Sequence, residues 1–323
     1  MLTRRSLAPI LAAFPTALAA QSAPTWNPDR PIRMLVGFAA GGSTDTTARV
    51  VAQAITPGMG QQVLVENRTG AAGNIASEHV ARSAPDGYTL VMASMGTHAT
   101  NAALYRNMSF DVVRDFAAVS LVAMSSNLIA LHPSQPFRRV SELIAYARAN
   151  PGKLNCGIAG AGSSQHFAAA MFEHAAGVRF TQVSFRGGAP AMSELASGRI
   201  DLVFSPVVEA VELVRGGQVR ALAITRAQRA AQMPDLPTVS EDLPGYTFSS
   251  WLGVFAPAAT PAPVILRLSR EIAAAMRRPE VRARMESLGY EPVGSTPEEF
   301  AAFQRAEMPR VAEMVRISGA TVE

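Results

Sequence analysis

The sequence predicts an α/β protein that holds a small anion between two lobes. Three observations predict it. The segment Pro31-Ile-Arg-Met-Leu-Val-Gly-Phe-Ala-Ala-Gly-Gly-Ser-Thr-Asp-Thr-Thr-Ala-Arg49 reads as an apolar strand, a paired-glycine turn and a hydroxyl-rich helix start. A similar turn stands at Gly157-Ile-Ala-Gly-Ala-Gly-Ser-Ser-Gln165, in the other half of the chain. Around both turns, short apolar runs alternate with helical repeats, the pattern of parallel sheets covered by helices. Such a turn exposes unpaired backbone N–H groups at the positive end of a helix dipole, which suits an anion.

The elements follow in order. Residues 32–38 read as a buried strand and 44–55 as a helix that Pro57-Gly58 stops. A second strand covers 62–66. A glycine-rich loop at 67–73 leads to a helix at 74–82. Pro85-Asp86-Gly87 is a turn, and 88–93 a third strand. Crossovers of this type are right-handed. The apolar runs 119–123 and 127–131 flank Met124-Ser125-Ser126 and read as the crossing into a second lobe. There Val140, Leu143, Ile144 and Ala147 share one helix face. Next come a strand at 154–158, a helix at 164–176 ended by Gly177, and a strand at 180–185. A helix at 190–197 ended by Gly198, a strand at 201–204, a helix at 207–215 and a strand at 220–225 complete the lobe. The loop 233–245 is rich in breakers. Residues 247–255 are strand-like and cross back. In the helical remainder, Ile265, Leu268, Ile272 and Met276 share a face, as do Val281, Met285 and Leu288. Thr296-Pro-Glu-Glu-Phe300 opens the last helix, with Thr296 as N-cap, Pro297 first and Glu299 third. The expected organisation is a leader at 1–19, a first lobe from 26–123 and 248–323, and a second lobe from 124–247.

Composition narrows the class. Of 323 residues, 48% are hydrophobic, which marks a globular chain with room for a core in each lobe. The formal charge is +4, with a single lysine, Lys153, and scattered arginines. No basic block is present, which argues against nucleic-acid binding. The N-terminus reads as an export signal. Met1-Leu-Thr-Arg-Arg5 is a basic region, 7–20 an apolar region, and Ala17-Leu18-Ala19 a cleavage pattern. Thr3-Arg4-Arg5-Ser6-Leu7 also resembles a twin-arginine signal, so either general secretion or the twin-arginine route would carry the chain to the periplasm. No apolar run is long enough to span a bilayer. Cys156 is the only cysteine, so no disulfide forms within the chain. It reads as a small apolar residue near a strand end.

Several segments carry a family resemblance. They are Phe38-Ala-Ala-Gly-Gly-Ser-Thr-Asp45, Val65-Glu-Asn-Arg-Thr-Gly-Ala-Ala-Gly73, Ala84-Pro-Asp-Gly-Tyr-Thr-Leu90 and Asp115-Phe116. They continue as Asn150-Pro-Gly-Lys-Leu154, Gly162-Ser-Ser-Gln-His166, Arg220-Ala-Leu-Ala-Ile-Thr225, Pro237-Thr238 and Ser250-Trp-Leu-Gly-Val-Phe-Ala-Pro257. Taken in order over nearly the whole chain, they resemble the solute-binding proteins of tripartite tricarboxylate transporters, also called Bug receptors. The resemblance implies a type II periplasmic-binding-protein fold, with two α/β lobes, mainly parallel sheets and two crossing strands. The lobes would close on a ligand like a flytrap. It implies a carboxylic acid ligand, a membrane permease as partner, no catalysis, no cofactor, no metal, and a monomer.

The expected ligand contacts follow the turns. Ser43 and Thr44 offer hydroxyl and N–H groups to a carboxylate, directly or through water, beyond their role as N-cap. Gly41 and Gly42 let the backbone approach, with Phe38 before them. Asp45 reads as structural, because an acid in the first turn complements the dipole and would repel a carboxylate. Ser94, Thr97 and His98 follow the third strand, at the rim where parallel sheets gather ligands. In the second lobe, Gly160, Gly162, Ser163 and Ser164 form the matching turn. It is not a dinucleotide signature, since Gln165 holds the third glycine position. His166 either lines the cleft or caps the helix. Phe185, Arg186 and Gly187 form another strand-to-helix turn, where relatives more often carry a tyrosine in place of Phe185. Arg186 is the candidate partner of a second carboxylate. Ser205 stands where many relatives carry an acid, and so suggests a ligand without an ammonium group. Phe38, Phe185 and Trp251 make either a flat apolar slot or lobe core.

Two other functions are weighed. A hydrolase lacks support: there is no G-x-S-x-G elbow, and the five histidines, His79, His98, His132, His166 and His174, make no zinc-enzyme spacing. A receptor that signals through a sensor protein would have the same fold and site.

Overall fold

The computed structural model describes residues 26–230 and 233–321. The expected leader at 1–19 lies outside them. The chain begins with β1 (Ile32–Val36), α1 (Ser43–Met59), β2 (Val63–Asn67), α2 (Asn74–Ala81), β3 (Thr89–Ser94), α3 (Asn101–Leu104) and β4 (Phe116–Leu131). It continues through α4 (Val140–Ala149), β5 (Asn155–Ile158), α5 (Ser164–Ala176), β6 (Thr181–Ser184), α6 (Gly188–Ala196), β7 (Leu202–Pro206), α7 (Val207–Arg215) and β8 (Arg220–Ile224). It ends with β9 (Ser249–Pro257), α8 (Ala262–Arg277), α9 (Pro279–Ser287), β10 (Tyr290–Pro292) and α10 (Pro297–Ser318).

The strands run in the order β2-β1-β3-β9-β4-β7-β5-β6, with β8 and β10 also paired to β4. The outer pairs β1–β2, β1–β3, β5–β6 and β5–β7 are parallel. The pairs made by β9 and β4 are antiparallel, because these strands carry the chain across and back. The sheets are thus mixed, parallel only in their outer strands.

β4 is long because its sequence is mostly apolar and broken by no glycine or proline. Its first part pairs with β9, from Phe116↔Pro257 to Ser126↔Ser249. Its last five residues, Asn127 to Leu131, pair with β7 and β8 instead. The change of partner is tied at one point. Thr225 Oγ lies 3.0 Å from Asn127 N, 2.9 Å from Asn127 O and 2.8 Å from Phe248 O. It accepts from the amide and donates its one proton to either carbonyl. Asn127 Nδ2 donates to Phe204 O at 2.7 Å.

The core follows the helix faces. Val51 and Ile55 of α1 meet Leu268 and Ile272 of α8 over the first sheet, all nearly or fully buried. Phe172 and Phe204 anchor the second sheet, 5.2 Å apart between ring centroids. Thr296 caps α10 with the expected box: Glu299 N donates to Thr296 Oγ, and Thr296 N to Glu299 Oε2. α10 packs on β4 of one sheet and on α5 of the other. Its Phe300 is fully buried, 4.7 Å from the ring of Phe255 and 5.7 Å from that of Trp251.

Two local expectations change. α1 does not stop at Pro57 but runs on to Met59, where Gly60 caps it at φ 70°. In the last turn, proline deprives only the exposed Gln53 carbonyl of its partner, and water can replace it. β10 has three residues, too short for any periodicity to reveal. Replacing Phe300 with alanine should cost about 3–5 kcal/mol. Urea unfolding of the variant checks this, and a loss below ~1 kcal/mol would show that the α10 contact does not hold the fold.

Candidate ligand cleft

The loops at the carboxyl ends of β1, β3, β5, β6 and β7 face one another across a cavity of about 590 Å³. That is within the usual range for small-molecule sites, about 300–1,000 Å³. Its floor is made by the crossing strands, with Ser125 of β4 opposite Ser250 of β9. Four helices start at its wall: α1, α5, α6 and α7. Only α5 has a side-chain cap, where Ser163 Oγ accepts from His166 N at 3.1 Å. α1, α6 and α7 have Gly42, Gly187 and Pro206 at the N-cap and no side chain there to take their N–H groups. Those N–H groups and the dipoles behind them are available to an anion.

The first glycine turn is held from behind. Arg49 grips Asp45 with two bonds of 2.9 Å, Gly41 N donates to Asp45 Oδ2 at 2.9 Å, and Asn67 Nδ2 donates to Asp45 Oδ1 at 2.8 Å. Burial works to raise the Asp45 carboxyl, but these bonds outweigh it and hold it below the usual carboxylate range. Asp45 is not in the cavity wall; it shapes the turn that is. On the other side, the Tyr290 hydroxyl donates to Ser43 O at 3.1 Å. Asn101 Nδ2 donates to Ala72 O at 3.1 Å, steadying a loop in which Ala71 and Ala72 hold φ of 45° and 52°. Gly162 lies close to α3: a Cβ on it would come within 2.9 Å of Leu104 Cδ1.

Of the expected contacts, the wall contains Phe38, Gly42, Ser43, Thr44, Ser94, Gly162, Ser163, Ser164, Arg186 and Gly187. It does not contain Gly41, Thr97, His98, Gly160, Phe185 or Ser205. Gly41, at φ 82°, spends its N–H on Asp45 and faces an outer groove. Residues Gly96–Thr100 form a π-helical turn, wider by one residue than an α turn. It leaves Met95 and Gly96 in the wall and turns the next two residues inward. Thr97 Oγ bonds back to Ser94 O at 3.1 Å. His98 is fully buried and stacks on Phe255, 4.6 Å between centroids. Burial pushes its imidazole down to about 3. Gly160, at φ 101°, serves the turn itself. Phe185, half-buried, packs against the apolar cluster that includes Ala191, Leu195 and Val203. Ser205 stays inside a β7 longer than expected, fully buried, with Oγ donating to Pro206 O at 3.2 Å.

The other open choices resolve as packing. His166 Nδ1 accepts from Gly162 N at 3.1 Å, so it braces the turn. Trp251 is core, and the three expected rings make no slot, since of them only Phe38 reaches the wall. Cys156 is fully buried, and burial drives its thiol far up. Among the described residues, no group of three or more His, Cys, Asp or Glu is placed to hold a metal ion, and no helix is long and apolar enough to cross a membrane.

Sequence reasoning missed Asn101, Gln165, Glu209, Ser125, Ser250 and Tyr290, which all line the cavity. Glu209 matters most, because among the described residues it is the only acid in the wall and Arg186 the only base. Glu209 stands four residues after Ser205, in the first turn of α7. An acid in the first turn of a predicted helix was the available signal, but it reads equally as a dipole partner. Burial raises the Glu209 carboxyl, and the bond from Gln165 offsets this only in part.

Known proteins resemble this chain in sequence and fold. A family model described as "Tripartite tricarboxylate transporter family receptor" matches residues 47–319. Protein BugT of Bordetella pertussis is 33% identical over 92% of this chain and 91% of its own. A structure described as R. palustris Rpa4515 with adipate is 34% identical, covers 91% of this chain and 99% of its own, and has a TM-score of 0.84. MatC from Rhodopseudomonas palustris with bound malate is 33% identical, covers 89% of this chain and 99% of its own, and has a TM-score of 0.78.

Two outcomes follow from the buried groups. The pKa of His98 is depressed from 6.5, so its contribution to stability is present above 6.5 and lost as pH falls toward about 3. Replacing His98 with phenylalanine should flatten thermal stability across that window; an unchanged slope would refute the assignment. The pKa of Glu209 is raised from 4.5, so its contribution is present below 4.5 and lost as pH rises through the raised value. Glu209→Gln should therefore gain midpoint temperature over the native protein near neutral pH and not below 4.5.

Proposed function

The chain belongs to the tripartite tricarboxylate transporter receptor family, and from that premise we propose that it captures a small carboxylic acid in the cleft and hands it to a membrane permease of the same system. Family members are periplasmic solute-binding proteins. The observation that carries the reading is the start of α1 on the cavity wall, without a side-chain cap and with its first-turn acid Asp45 withdrawn behind it. It supplies about half a positive charge and unpaired N–H groups. The ligand carboxylate sits at the start of α1, taken by backbone N–H and the hydroxyls of Ser43 and Thr44. A cavity of about 590 Å³ leaves space for bridging water beside a small acid. Residues 26–123 with 248–323 act as one lobe and 124–247 as the other. Arg186, exposed at the wall, closes over the ligand as the lobes approach.

Nothing in the wall recommends catalysis. Ser43, Ser163 and Ser164 have no histidine base beside them there, since His98 and His166 are both held in packing. The protein acts as a monomer, without a cofactor, after export to the periplasm.

A thermal-shift screen of the mature chain against mono-, di- and tricarboxylates, aromatic acids and amino acids tests the reading. An acid at a hundred times its dissociation constant should add about 2.7 kcal/mol and move the midpoint by several degrees. The protein should first be unfolded, dialysed and refolded to remove any resident ligand. No shift from any acid would overturn the proposal. Arg186→Gln should weaken the best acid about tenfold and reduce the salt dependence of binding.

A further inference from the structure

Three helix starts meet behind the second-lobe wall. Gln165 is the second residue of α5, Gly188 the first of α6 and Glu209 the third of α7. Gln165, only 1% exposed, donates from Nε2 to Glu209 Oε2 at 2.9 Å. Its own Oε1 is buried and has no hydrogen-bond partner. Both side chains line the cavity. Gly188 makes the arrangement possible: a Cβ there would lie 1.9 Å from Glu209 Oε2 and 2.7 Å from Gln165 Nε2.

The two ends of the cavity therefore differ in chemistry. The α1 end presents N–H groups and hydroxyls to an anion. The α5–α7 end presents acceptors: a carboxyl group and an amide oxygen lacking a donor. A polar atom buried without a partner is costly, and is kept where something else supplies the partner. The other polar side chains near this end do not supply it. The Tyr290 hydroxyl is committed to Ser43 O, and Arg186 lies at the exposed side of the wall. A second ligand carboxylate placed against Glu209 would meet a like charge.

We propose that Glu209 and Gln165 receive a hydrogen-bond donor of the ligand, so that the captured acid carries an amino or hydroxyl group. The inference rests on the acid-capture reading and names the class of acid. It reverses the expectation drawn from Ser205, because the acid that reads such a group stands at 209. Gln165 and Glu209 are specificity residues in this scheme, and Arg186 is free to take any second carboxylate.

Calorimetric titration of the refolded mature chain with matched acids tests it. One set is succinate, malate and aspartate; the other is adipate, 2-hydroxyadipate and 2-aminoadipate. In at least one set, a substituted acid should bind about tenfold or more tightly than the plain one, the loss expected for an acceptor left unpaired. Glu209→Ala should abolish that advantage. Glu209→Gln keeps the shape and separates the donors: the advantage of an ammonium falls with the charge, and that of a hydroxyl is largely retained. Plain diacids binding as tightly as both counterparts in both sets would overturn this inference and leave acid capture standing. An advantage that survives in Glu209→Ala would overturn it as well. Binding of none of the six, with another plain acid found in the thermal-shift screen, would overturn this inference alone; binding of no acid in either experiment would overturn both.

Discussion

The structure depends on a single strand serving two sheets. β4 pairs with β9 over its first part and with β7 and β8 over its last five residues. A strand cannot change partners without leaving backbone groups to satisfy at the change. Here Thr225 and Asn127 supply them, and they bind the returning chain at Phe248 into the same knot. The two halves are thereby fixed in register with each other. The loops at the strand ends must face one cavity, and the serines at the crossing become its floor.

From that constraint the electrostatics follow. Parallel strands connected by helices place helix starts at the strands' carboxyl ends. Two such sheets joined edge to edge bring several positive dipole ends together, which would repel one another if left bare. The protein meets this in three ways. Ser163 caps α5, Asp45 stands in the first turn of α1, and Glu209 stands in the first turn of α7. Asp45 is neutralised by Arg49 and withdrawn from the wall, whereas Glu209 is left facing the cavity with only an amide for company. One acid is thus spent on shape and the other remains open to a ligand.

Much of this was legible in the chain. The strand–turn–helix at 31–49, the Ser163-Ser164 turn, the helix at 164–176 and the capping box at Thr296 depend on local rules, and the structure follows them closely. The site was legible where it is built from those same turns, which is why Ser43, Thr44, Gly162, Ser163 and Ser164 line the cavity. It failed where one residue of offset decides which side faces in. A π-helical turn moved Thr97 and His98 from rim to core, and two extra residues of β7 kept Ser205 inside the sheet. Ser125, Ser250 and Tyr290 reach the cavity only through long-range pairing, which no spacing along the chain encodes.

The lone cysteine has a consequence for how the chain reaches this state. In the fold, Cys156 lies buried beneath α5 and its thiol is held protonated, so it is inert to oxidants. In the unfolded chain, the same thiol has an ordinary acidity and meets whatever the compartment contains. In an oxidising compartment, burial competes with capture. A chain captured first carries a mixed disulfide too large for the space at β5, and cannot complete the second sheet. Burial therefore protects Cys156 only once β5 and the elements packed on it have closed over the thiol.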